Sequence, residues 1–102
     1  MKILWTRTAV KRLEEIHAYI EKDSPGNADK WLKKILSKAE ALAQTPGIGR
    51  SLPELGSKSV REIIAGNYRI VYKIAKDSIF VLTVRHCKQV LPMADFIDLK
   101  DG

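Results

Sequence analysis

Three runs rich in β-branched and aromatic residues, at 60–65, 68–75 and 78–86, follow one another with only Gly66-Asn67 and Lys76-Asp77 between them. A two-residue connection joins antiparallel neighbours, because a parallel partner needs a long crossover. The second half of the chain is therefore an antiparallel meander. Side chains alternate along a strand, so Tyr68, Ile70, Tyr72 and Ile74 share one face of the middle run while Arg69, Val71, Lys73 and Ala75 share the other. The third run is apolar on both faces from Ile79 to Val84, which places it centrally in the sheet.

The first half carries the helical period instead. Lys2–Trp5 reads as a short strand, after which Thr6 or Thr8 supplies a helix N-cap. Val10, Leu13, Ile16, His17 and Ile20 then recur at three- to four-residue spacing along a helix ending near Asp23. Ser24-Pro25-Gly26-Asn27 breaks it. In the second helix Ala28, Trp31, Leu32, Ile35, Ala39, Leu42 and Ala43 form the apolar side and a Lys-rich face opposes it, with a stop at Thr45-Pro46-Gly47. The stretch 46–59, with three Gly and two Pro, reads as a surface loop. Residues 89–102 form a short helix or a loosely docked tail. The expected architecture is α+β: a short strand, a helical hairpin and a three-stranded antiparallel meander, all within one domain spanning 1–102.

Composition bounds the function. At 45% hydrophobic and 29% charged residues the chain has enough apolar surface to fold, and 102 residues leave little interior for a large cofactor. The single Cys87 forms no intramolecular disulfide, no His/Cys cluster has metal-ligand spacing, and no segment has the length of a signal core or a membrane span. No cofactor or metal is expected, and the expected location is the cytoplasm. The net charge of +6 is unevenly spread: 45–90 holds eight basic and three acidic residues, a net of +5, whereas 7–44 is nearly balanced at +2 and the tail is acidic.

The candidate constellation is therefore Arg61, Arg69, Arg85, His86 and Lys88. Guanidinium forks suit phosphates and carboxylates, and a His beside them can act as acid or base. By alternation Arg85 and His86 end their strand on opposite faces. Trp5, Trp31 and His17 fall on core-facing positions and read as packing residues, and Cys87 reads as a small buried thiol. There is no phosphate loop, nucleophile elbow or zinc motif.

The order of elements, together with Trp5-Thr6, Leu13-Glu14-Glu15-Ile16, Leu42-Ala43-Gln44-Thr45-Pro46-Gly47-Ile48-Gly49-Arg50, Tyr68-Arg69-Ile70-Val71-Tyr72 and Val84-Arg85-His86, resembles the RelE/ParE superfamily of bacterial type II toxin–antitoxin toxins. That resemblance implies a small toxin neutralised by a cognate antitoxin, with DNA approached only through the antitoxin. RelE-like members cleave mRNA on the ribosome with basic residues plus a Tyr or His; ParE-like members lack that set and poison DNA gyrase.

Arg69 matches the strand arginine with which RelE-like members hold the scissile phosphate. The chain then departs from them, since no Tyr follows Tyr72 and His86 stands one place early. The long hairpin and the Val-Arg-His ending look like the ParE side. The expected activity is growth arrest through protein–protein contact with gyrase, with Arg61, Arg69, Arg85 and Lys88 as partner-binding residues. The alternatives are a ribosome-dependent endoribonuclease built on Arg69, Arg85, His86 and Lys88, and a degenerate antitoxin-binding module acting in autoregulation.

Overall fold

The computed structural model describes residues 1–52, 55 and 59–100. Its elements run β1 (Lys2–Trp5), α1 (Arg7–Asp23), α2 (Asn27–Ala41), a 3-10 turn (Pro46–Ile48), β2 (Arg50–Ser51), β3 (Val60–Ala65), β4 (Tyr68–Ile74), β5 (Ser78–His86) and a C-terminal 3-10 segment (Met93–Lys100). One five-stranded sheet has the order β1-β5-β4-β3-β2. The expected α+β architecture is present, with β5 held between β1 and β4.

Local chemistry accounts for the breaks. Thr6 caps α1 by accepting the Ala9 N–H at 3.1 Å, while its hydroxyl donates to the Val81 carbonyl at 2.9 Å and so ties the helix start to β5. The hairpin turns through Gly26, whose φ of 91° lies where a side chain would be strained. Gly66 has a φ of 63° while Asn67 stays negative, the pattern of a type II′ turn. Chemistry also corrects two boundaries. α2 ends at Ala41, short of Thr45, because residues 42–44 tighten into turns with Leu42, Ala43 and Gln44 bonded three residues back. The stretch read as plain loop contains β2, which pairs Arg50 with Glu62 and Ser51 with Arg61 and adds an edge strand to the meander.

The helical hairpin covers one face of the sheet. Ala9, Leu13, Ile35 and Ala39 meet Ala65, Ile70, Val81 and Val84, with Trp5 and Trp31 packed against them as their spacing implies. Alanines at the contact let helix and sheet approach closely, and each large aliphatic side chain buried there is worth about 1.5–3 kcal/mol. His17 is partly buried and pairs with Asp29 across the two helices at 2.8 Å. The other face carries a second cluster, Leu52, Val60, Val71, Leu82 and Phe96. A bulge opposite Val71 and Tyr72 makes the register jump from Thr83 to Val81. The leftover residue, Leu82, joins the second cluster beneath Phe96.

The C-terminal segment is docked on that second face through Phe96 and Asp95, both buried. Cys87 contradicts the expectation of a buried thiol: it is exposed, because β5 ends at His86 and the chain turns outward there. Among the described residues no helix is long and apolar enough to cross a membrane.

Candidate functional site

The hairpin register decides where the candidate cations lie. Arg69 sits opposite Arg85 on β4 and β5, so both project from the face away from the helices, whereas His86 sits opposite Tyr68 on the helix side. Each arginine meets a buried carboxylate. Glu62 lies one step diagonally from Arg69, with Nε 3.0 Å from its Oε1, and it also accepts from Arg50 at 2.8 Å. Asp95 takes Arg85 through two oxygens, at 2.7 and 3.0 Å. Arg12 of α1 donates to the same carboxylate at 2.9 and 3.1 Å, and the Thr83 hydroxyl at 2.8 Å completes the shell.

Burial alone raises the pKa of a carboxyl group, but here the hydrogen bonds from Arg85, Arg12 and Thr83 outweigh it and hold Asp95 at about 2. Asp95 is thus an anion at any physiological pH. Arg12 is raised in turn, chiefly by its bond to Asp95. The two guanidiniums are committed to an internal partner.

Arg61 has a different task. Opposite Tyr72 on β3, it donates to the carbonyls of Gly49 at 2.7 Å and Gly47 at 3.3 Å. Tyr72 is fully buried, accepts the Gly49 N–H at 2.9 Å and donates to the Pro46 carbonyl at 2.7 Å. Burial raises its pKa, so the hydroxyl keeps its proton for Pro46. Gly49 has no room for a side chain, since a Cβ there would lie 2.4 Å from the Tyr72 oxygen. Arg61 and Tyr72 therefore pin residues 46–50 against the sheet.

His86 is assembled with aromatics and not with the arginine carboxylates. Its ring packs edge-on to Tyr68 at 5.3 Å, and Tyr68 packs edge-on to Trp31 at the same distance. Its Nδ1 accepts the Lys88 N–H at 3.1 Å. A cleft of about 380 Å³ opens beside it, lined by Tyr19, Tyr68, Arg12, Ile16 and Gln89 among others. Lys88 is exposed in the turn after β5. The five candidates thus fall into three places: Arg69 and Arg85 on the open face, His86 on the helix face with Lys88 beyond it, and Arg61 under the 46–50 loop.

Glu62, Asp95 and Arg12 were absent from the candidates. The two-residue turn at Gly66-Asn67 fixes which residues of β3 and β4 stand opposite each other, so the Glu62–Arg69 diagonal was available from the register. No local signal points to Asp95, which is 83 residues from Arg12.

Residues 3–91 match the protein family described as the ParE toxin of the type II toxin–antitoxin system parDE. The chain belongs to the ParE toxin family. It is 42% identical over 94 residues to "Putative toxin Y4kP" of Sinorhizobium fredii, an alignment covering 89% of this chain and 93% of that protein. It is 28% identical over 90 residues to "Toxin RelE2" of Caulobacter vibrioides, covering 87% of this chain and 98% of that one. A structure titled "Chromosomal ParDE TA system from P. aeruginosa" shares the fold with a TM-score of 0.72 at 21% identity, over 84% of this chain and 95% of that chain. This ParE-family chain is a toxin of a type II toxin–antitoxin module. Its family implies a cognate antitoxin as partner.

Proposed function

We propose that this toxin arrests growth by binding DNA gyrase through protein–protein contact, and that a cognate antitoxin neutralises it. The observation that carries the reading is the separation of the groups an RNA-cleaving site would need. Cleavage at a 2′-hydroxyl requires a base, an acid and cations converging on one phosphate. Here Arg69 and Arg85 are bound to Glu62 and Asp95 on one face, while His86 faces the other way against Tyr68. A phosphate reaching both arginines is out of reach of the imidazole. The surface is instead a rigid scaffold with exposed cations, Lys88 and the lysines of α2, suited to acidic protein partners.

The test pairs two assays on the purified toxin. Accumulation of gyrase–DNA cleavage complexes with mRNA left intact on programmed ribosomes is expected, with His86→Ala retaining full growth arrest. Ribosomal mRNA cleavage that disappears in His86→Ala would overturn the reading. Absence of growth arrest when the toxin is expressed without antitoxin would overturn it in favour of a module acting in autoregulation.

A further inference from the structure

The outer edge of the sheet on the β3 side is incomplete at one rung. Antiparallel pairing alternates, so successive residues of β3 direct their main-chain groups toward β4 and then outward. The Ser59 carbonyl accepts from Ile74 of the β4 side, whereas the Val60 carbonyl accepts from Leu52 on the outer side. Val60, Glu62 and Ile64 are therefore the outward residues. Glu62 is paired with Arg50, and there the register of β2 stops. The next outward rung, Ile64, has no strand beside it, because the chain before Arg50 is the 3-10 turn that Tyr72 holds in place.

A cleft of about 390 Å³ lies beside this rung, with Leu42 and Ile63 in its floor, Ile48 and Thr45 on one wall and Lys38 on the other. Ile48 and Ile64 are large apolar side chains left 68% and 53% exposed. Lys34 reaches the Gly66 turn at the end of β3, its Nζ 3.5 Å from where a side chain at Gly66 would begin. Neither Lys34 nor Lys38 takes part in an ion pair among the described residues.

From this arrangement we infer that the β3 edge is a docking site for a short extended segment of a partner protein, pairing with Ile64 and presenting an acidic, a β-branched and an apolar residue in succession. Alternation sets the pattern. The residue opposite Ile64 covers that side chain on the open face, and its two neighbours point to the helix face. The neighbour beside Ile63 enters the cleft, and the one beside Ala65 meets Lys34 and Lys38, where a carboxylate supplies the missing charge. The main chain gives register and the alternate side chains give selectivity, as in strand addition to a sheet edge. A basic segment is disfavoured by the same two lysines.

The inference concerns a different surface from the gyrase reading and is tested without gyrase or antitoxin. The full-length chain is titrated with a short capped peptide containing glutamate, valine and leucine in that order, and amide shifts are followed by NMR. Saturable shifts centred on Ile63, Ile64 and Ala65, with slowed exchange of the Ile64 amide, are expected. Affinity should fall about tenfold in the double variant Lys34→Glu, Lys38→Glu, both sites being exposed on α2, and a peptide with lysine in place of glutamate should not bind. Ile64→Pro removes the outward donor without touching the β3–β4 ladder and should abolish the shifts. No shifts at millimolar peptide, shifts centred elsewhere, or equal binding of the lysine peptide would overturn the proposal.

Discussion

The two edges of the sheet are finished in opposite ways. On the β5 side, β1 covers Ser78 to Val81, and Thr6 takes the carbonyls of Val81 and Leu82 where β1 ends. Farther along, Gln89 occupies both main-chain groups of His86, its side chain accepting the N–H and its own N–H donating to the carbonyl. Between these points the Arg12–Asp95 pair links the helix layer to the segment on the opposite face, and so spans the edge. On the β3 side, two residues of β2 pair and the edge then stops beside an apolar cleft. An open edge invites another strand, so a protein that closes one and leaves the other short has restricted where a partner strand can add.

The largest effect should come from breaking the closed edge. Asp95→Ala leaves two guanidiniums and the Thr83 hydroxyl without their shared acceptor, and removing one member of a buried charge cluster costs about 3–5 kcal/mol. Urea unfolding should show that loss, and amide exchange should quicken in β5 while β3 is little changed. A loss below about 1 kcal/mol would show that the C-terminal segment is held chiefly by Phe96.

Acid sharpens the same point. Asp95 is held at about 2 against an ordinary 3.8, so the folded state favours its ionised form. A depressed pKa contributes stability that is full above the unfolded value and is lost as pH falls through the folded one. The contribution, about 2 kcal/mol, should disappear between roughly pH 4 and pH 2. The measurement is the stability difference between the native chain and Asp95→Asn across that window. A difference that stays constant would contradict the clamp.

The two edges also differ in how far they can be read from sequence. Everything at the β3 edge follows from short-range rules: the Gly66-Asn67 turn sets the register, the register sets the outward rungs, and Glu62 falls beside Arg69. The existence of β2 was hidden, because two residues carry no alternation to detect. At the β5 edge the turn signals fail. The parallel pairing of β1 and the Arg12–Asp95–Arg85 cluster join residues far apart in the chain, and an acidic residue in a mixed tail has no pattern that predicts burial. Cys87 was misplaced for a related reason: the position of a strand end by one residue decides whether a side chain is covered or in solvent.

The smallest predicted effect lies at the open edge and tests what keeps it open. Tyr72→Phe removes one hydroxyl and leaves the buried Gly49 N–H without its acceptor and the Pro46 carbonyl without its donor. An unmade bond of that kind costs about 1–3 kcal/mol, and Arg61 still holds the Gly47 and Gly49 carbonyls, so the lower end is expected. The loss should be local. Amide exchange should quicken at Gly49 and at the Arg50–Glu62 rung, with the β5 amides unchanged, the reverse of Asp95→Ala. The loop that Tyr72 pins also forms the Ile48 wall of the cleft, so peptide affinity at the β3 edge should weaken in the same variant. If stability falls while peptide binding is untouched, Ile48 is not part of the docking surface, and the selectivity of this edge rests on Ile64 and the two lysines alone.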